Sequence, residues 1–427
     1  MGPIVVKRVR LAVAVAVVLV LGVLIFSQRS SHKITNGFLT SVKAYTENVP
    51  GFSNPRPDEI DEADVSDFLG DTSEIDQFEP RPENKYNDVD HETVVPLEPS
   101  LSLGMGMYPD PTTFPEVPAK SYPKIGALKD SKFTDKLPFR IYSHNIKNGG
   151  THKLELGEPV WETRKTMVVA SIRAHYAPNM IVALQEAQKF QIDDILHGLN
   201  MIEEPGSQWK YYGGGRIDGK EMGEHVPFLV KEDEFDVVYD DTFWLNEKNT
   251  RRPLVGWDAK YPRSATYVTI KHRKSGTYLN FFNAHFDHKG SMARDESVQL
   301  LMEKMSSVNE WPSFLCGDFN AKPNEECYKS ISKQYTDVHT ITSSYNWYGH
   351  PDYSVTGFRG NYLKDAKRID FIFAPQHTVK ASETLCSDSI DGYSLQLRGY
   401  GMLHSKFGGV YMSDHRPIMA DFIMKKC

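Results

Sequence analysis

Downstream of Pro138 the sequence alternates short apolar, β-branched runs with amphipathic helical patterns, and this alternation is the strongest constraint on its fold. FRIYSHN (139–145), MIVALQE (180–186), FDVVY (235–239), SATYVTIKH (264–272), YLNFFNAH (278–285), SFLCGDF (313–319), RIDFIFA (368–374) and PIMADFI (417–423) predict strands, several buried on both faces. Between them, Trp161, Val168, Ile172 and His175 share one helical face. Ile192, Ile195, Leu196 and Leu199 share a second, and Val298, Leu301, Met302 and Met305 a third. This order predicts a single α/β domain over residues 138–427, built on two stacked sheets with outer helices. The sequence contains no internal repeat and no GxGxxG or Walker-type loop.

The segment before this domain reads differently. A basic flank (1–10) leads into LAVAVAVVLVLGVLIF (11–26), sixteen unbroken apolar residues. As a helix the run extends about 24 Å at ~1.5 Å per residue, just short of a typical span of ~20 residues. A cleaved signal peptide, a buried core helix and an uncleaved signal anchor are the competing readings. No small-x-small pattern follows the run, which favours the anchor. Lys7, Arg8 and Arg10 before it, against Arg29 and Lys33 after it, favour a type II orientation with the catalytic domain luminal or extracellular, or secreted if the run is cleaved. Against this, no Asn-x-Ser/Thr acceptor occurs in the chain. Residues 27–137 are acidic and rich in proline, with sixteen Asp/Glu against three Lys/Arg from 47 to 98. Such a stretch buries too little apolar surface to offset its ordering entropy, and it is expected to form a disordered stalk. Four cysteines are too few for a disulfide framework but leave one bridge open.

Polar groups repeatedly terminate the predicted strands. Asn145 ends the first, Glu186 the second, His285 and Asp287 close the run near 280, Asp318 and Asn320 follow FLC, and Asp414-His415 precedes PIMADF. Strand-end side chains of a packed α/β layer converge on one rim, where ligand sites usually lie. Hard oxygen ligands such as Glu186 suit Mg²⁺ or Mn²⁺, and the scarcity of Cys near the His residues argues against a thiolate zinc site. A carboxylate to activate water, imidazoles to handle protons and a cation to neutralise developing charge are what phosphoester hydrolysis requires.

In order along the chain, SHNI, ALQE, GRIDGKEMGEHVPF, TFWL, GWDAKYPRSAT, NAHFDHKGSMAR, CGDFNAKP, RIDFIF and SDHRP resemble the motifs of the endonuclease/exonuclease/phosphatase superfamily. The resemblance runs from about Phe139 to Phe422 and implies a four-layered α/β sandwich of two mixed sheets flanked by helices. It implies Glu186 as the main metal ligand, with Asn145 and Asp414 completing the metal environment. Asp318 would position or deprotonate the attacking water and Asn320 would hold a phosphoryl oxygen. His415, oriented by Asp370, would bind or protonate the phosphate. His285 paired with Glu224 would form a second imidazole–carboxylate dyad, and Arg263 would clamp the phosphate. His285 as a structural histidine beside a working Asp287 or His288, and Glu224 as a solvated loop charge, are the competing readings. Gly213-Gly214-Gly215 reads as a turn more readily than as a phosphate loop, and Cys316 as a buried thiol. Trp257, Tyr261, Trp347 and Tyr348 are candidates for stacking or for packing. Ser143-His144 stands where the family commonly has Thr-Phe or Thr-Leu.

Residues 99–427 carry forty basic and forty acidic side chains, so the basic footprint usual for nucleic-acid enzymes is missing. The implied dyad and Arg263 favour phosphodiester hydrolysis on nucleic acid or nucleotide, of nuclease or 3'-5' exonuclease type. A membrane phosphoesterase acting on phospholipid, sphingolipid or inositol phosphate is the alternative, and an inactive binding scaffold a third. The expected partners are the phosphate ester and, through residues 11–26, a membrane; no protein partner is indicated.

Overall fold

The strand Leu137–Asn145 is buried along nearly its whole length because both of its faces are covered, which accounts for an apolar run without polar alternation. It pairs antiparallel with Ile418–Lys426 and parallel with Met180–Gln185. The computed structural model describes residues 114–130, 136–150, 152–358, 366–387 and 392–427. The expected basic flank, the apolar run 11–26 and most of the stalk lie outside the described residues. Among the described residues, no helix is long and apolar enough to cross a membrane.

Two mixed sheets form the domain. The first orders its strands Trp347–Gly349, Tyr393–Met402, Ile418–Lys426, Leu137–Asn145, Met180–Gln185, Phe228–Lys231 and Trp209–Tyr212. The second runs Phe235–Trp244, Ser264–His272, Tyr278–His285, Ser313–Asp318, Asp370–Pro375 and Tyr335–Asp337. Phe139 stacks on Phe422 at 5.2 Å and meets Phe314 edge-on at 5.4 Å, while Phe314 stacks on Phe281 at 5.2 Å, tying the sheets face to face. The outer face of the first sheet carries the helices Trp161–Ala174 and Lys189–Asn200. Ser291–Ser307 and Glu326–Ile331 cover the other side. The four-layered sandwich is therefore present.

One expected boundary moves. Residues 114–130, read as stalk, lie against the second sheet: Val117 N donates to Arg251 O, Tyr122 hydrogen-bonds Thr269 at 2.8 Å, Trp311 Nε1 donates to Gly126 O, and Leu128 is buried. Long-range hydrogen bonds hold this stretch, so it shows no periodicity. Cys386 and Cys427 form a disulfide that ties the C-terminal residue to the loop before Tyr393–Met402.

Candidate active site

Period-two alternation carries the core into the site. In the first strand Phe139 and Ile141 face the other sheet, and Asn145 continues that parity. Phe281 leads to Asn283 and His285, Phe314 and Cys316 to Asp318, and Ile372 lies two residues beyond Asp370 on the same face. Register then aligns the ends, with Asp318 directly beside both His285 and Asp370. Below them Ser143, Gln185 and Asn283 form a buried polar shelf, with Gln185 Nε2 donating to Asn283 Oδ1 at 2.8 Å. Gly317 takes φ 139°, and a Cβ there would lie 2.0 Å from Ala284 O, so both the backbone angle and the space require glycine. Lys147, Glu186 and Asn320 also take positive φ, 57°, 58° and 49°, a costly conformation for non-glycine residues that concentrates at functional sites.

Glu186 accepts from Asn145 Nδ2 at 3.0 Å and from the Asn148 backbone N–H at 3.0 Å. Asn145 Nδ2 also reaches Asp318 Oδ2 at 2.9 Å, joining the two carboxylates. Asp318 stands between two imidazoles, with His285 Nε2 at 3.6 Å and His415 Nε2 at 3.7 Å. Asp370 Oδ2 meets His415 Nδ1 at 2.9 Å and so aims Nε2 at the site. The imidazoles differ in charge. Burial, with Arg263 and Arg216 close by, holds His285 well below its ordinary range, so it is neutral. Burial opposes the charge of His415 as well, but Asp370 and Asp318 outweigh it and carry the group up to about 10. Burial and the neighbouring Asp370 push Asp318 up to about 6. Asn320 Nδ2 lies 3.0 Å from His285 Nε2 and donates to Phe286 O.

Ligand atoms of Glu186, His285 and Asp318 lie within 4.8 Å of one another, as do those of Asp318, Asp370 and His415. A half-buried and a buried carboxylate, Glu186 and Asp318, beside a neutral imidazole are a donor set that fits a divalent cation, and the strain on the Asp318 charge is what such an ion would relieve. Asp414, expected among the metal ligands, falls outside both groups: its Oδ2 accepts from Lys147 Nζ at 3.2 Å. The expected His285–Glu224 dyad does not form either. Glu224 Oε2 pairs with Arg216 at 2.6 Å and Oε1 accepts from Asn148 at 3.1 Å; burial opposes its charge, but the Arg216 and Arg263 cations and the Asn148 hydrogen bond hold its carboxyl below the usual range.

Arg216, Glu224, His225, Arg263, Ser264 and His285 line a small pocket beside the metal-competent cluster. Arg263 is buried there, between Asp287 at 3.4 Å and His288 at 3.2 Å, and its Nη1 has no hydrogen-bond partner. A buried donor left unsatisfied at a pocket wall is a ready contact for an anionic oxygen. Asp287 mainly holds a loop, accepting from the Lys289 and Gly290 backbone N–H groups at 2.9 Å each. Tyr261 stacks on His288 and lies under Arg216. Trp347 packs on Tyr400 and Tyr348 donates to Asp421, so those two are packing elements. The Gly213–Gly215 loop folds on itself, Gly215 N donating to Lys220 O, and is a turn. Cys316 is a buried thiol. Sequence reasoning passed over Arg216, inside GRIDGKEMGEHVPF, and Lys147 and Asn148, which directly follow SHNI.

No family model matches the sequence. A family protein of this type from Bacteroides thetaiotaomicron, solved as an endonuclease/exonuclease/phosphatase family protein, is 27% identical with a TM-score of 0.56 and covers 68% of this chain and 98% of its own. The mannosyl-6-phosphatase of the same species is 27% identical with a TM-score of 0.55, covering 66% and 99%. The chain belongs to the endonuclease/exonuclease/phosphatase superfamily. Curated superfamily relatives are more distant: the CCR4-Not complex 3'-5'-exoribonuclease subunit Ccr4 of Aspergillus oryzae is 22% identical over 342 residues, 62% of this chain. Nocturnin of Rattus norvegicus is 22% identical over 270 residues, 61% of this chain. The chain spans only 44% and 58% of their respective lengths.

Proposed function

We propose that this superfamily member is a divalent-metal-dependent hydrolase of phosphate esters, using Mg²⁺ or Mn²⁺. The observation that carries the reading is Asp318 held between a neutral His285 and a charged His415, within reach of Glu186. Glu186, with Asp318 and His285, would hold the ion, which supplies polarisation of a phosphoryl oxygen and neutralisation of its charge. Asp318 takes a proton from the attacking water as the water oxygen bonds to phosphorus and the P–O bond to the ester oxygen breaks, and the departing alkoxide takes a proton from solvent. The His415 imidazolium, oriented by Asp370, donates through Nε2 to a phosphoryl oxygen, and Arg263 Nη1 supplies a further donor to that group.

Arg263, with a free Nη1 at the wall of this pocket, places a donor where a phosphoryl oxygen would enter beside the metal-competent cluster. A terminal nucleotide linkage, as in the exonuclease type, is the first reading, supported by the match to an exoribonuclease. A sugar phosphate is the second reading, favoured by the 27% identity to a mannosyl-6-phosphatase and by the zero net charge of residues 99–427. We place the domain in an oxidising compartment, luminal or extracellular, as the anchor reading requires; the Cys386–Cys427 bridge supports it.

The test is hydrolysis of bis-(p-nitrophenyl) phosphate and p-nitrophenyl phosphate by the purified protein with Mg²⁺ or Mn²⁺. EDTA and Glu186→Ala should each abolish turnover. Equal inertness of wild type and Glu186→Ala under both metals would overturn the reading. Preference for a sphingomyelin or inositol-phosphate substrate over both single-stranded RNA and sugar phosphate would instead return the membrane alternative.

A further inference from the structure

Lys147 has no part in the chemistry above, yet it is built into the site. Its backbone N–H donates to Asn145 Oδ1 at 3.0 Å, and its carbonyl accepts from Arg164 Nη2 at 3.2 Å and Gln191 Nε2 at 3.1 Å. Those contacts fix a residue at φ 57° and send its side chain inward, where only 15% of it is exposed. The ammonium then lies 2.8 Å from Glu155 Oε1 and 3.2 Å from Asp414 Oδ2. Asp414 is thereby the expected ligand carboxylate in direct contact with Lys147, whose charge acts on Glu186 at longer range, and among the described residues Asp414 is absent from both groups able to share an ion.

We propose that Lys147 is a resident cation on the Asp414 side of the site, so that the enzyme takes a single divalent ion, on the Glu186 side. The charge argument is simple. Asp414 and Glu186 flank the Asn145 loop, and without Lys147 the two carboxylates would present hard oxygens to a second divalent ion. A fixed ammonium satisfies Asp414 and repels a divalent ion from that position. This rests on the metal-dependent reading of the same site, and it adds the number of ions and a charge-positioning role for one side chain.

The experiment counts Mn²⁺ bound per chain on the full-length protein, by equilibrium dialysis with elemental analysis, and needs no turnover. Wild type should bind one ion, lost in Glu186→Ala. Lys147→Asp, which replaces the ammonium with another carboxylate, should bind two; Lys147→Met should bind a second ion more weakly, and Lys147→Arg one. If Lys147→Asp does not fold, Lys147→Met reads the same change. Two ions in wild type, or one in both Lys147→Asp and Lys147→Met, would overturn the inference while leaving the metal-dependent reading standing. No Mn²⁺ bound by wild type would overturn both.

Discussion

His144 offers a prediction in which stability and pH are linked. The imidazole sits on the helix-facing side of the first strand with 1% of its surface exposed, and it faces the backbone of His415 without completing a hydrogen bond from either ring nitrogen. Burial, then the positive charges of His415 and Arg164, hold it down to about 3, against a smaller upward pull from Asp414. The folded state therefore binds this proton less readily than the unfolded chain, whose imidazole titrates near ~6.5. Its contribution is constant above that pH, and stability is lost as pH falls from about 6.5 towards 3. At pH 5 the loss reaches ~2 kcal/mol, from ~1.4 kcal/mol per pH unit over ~1.5 units. Replacing the ring by leucine, similar in size and apolar, removes this cost and also two unsatisfied nitrogens, worth ~1–3 kcal/mol at neutral pH. Urea unfolding of wild type and His144→Leu at pH 7.5 and 5.0 measures both parts. The variant should be more stable at both pH values, with a gap about 2 kcal/mol wider at pH 5.0. An identical gap at the two pH values would refute the buried neutral imidazole.

Asp370→Asn should lower kcat by ~10²–10⁴, because His415 loses its orientation, and should move the alkaline fall in activity to lower pH as His415 drops from about 10; a pH–rate profile reads both. Phe314→Ala, at the contact of the two sheets, should cost ~3–5 kcal/mol in denaturant unfolding, and a loss under ~1 kcal/mol would contradict the packing. Cys386→Ser should cost ~2–4 kcal/mol of stability and leave kcat/KM unchanged, since the bridge closes a separation of 41 residues away from the site residues.

The strands that carry the site were legible because each is buried on both faces and long enough to show its pattern, as in Ser264–His272 and Tyr278–His285. Strands of four residues, Trp209–Tyr212 and Phe228–Lys231, are too short to show a period. Tyr393–Met402 escaped notice for another reason: Gln396, Arg398 and two glycines interrupt its apolar residues, and its register shifts between Leu397 and Gly399. At the site, Asn145, Asp318 and His285 were readable because each continues the parity of core residues earlier in its strand, Ile141, Cys316 and Phe281. Pairings between loops were not. Glu224 meets Arg216 across a local turn in which Arg216 N donates to Glu224 O, and no periodicity separates that partner from His285. The inward turn of Lys147 depends on a positive φ set by Arg164 and Gln191, contacts that sequence spacing does not encode.

The most direct test of the central claim is the rate of bis-(p-nitrophenyl) phosphate hydrolysis by the full chain with Mn²⁺, before and after Asp318→Asn. A carboxylate that takes the proton of the attacking water predicts a fall in kcat of ~10²–10⁴ that saturating Mn²⁺ does not restore, and no turnover of either protein in EDTA. A variant that keeps the wild-type rate, or turnover that persists in EDTA, would contradict it.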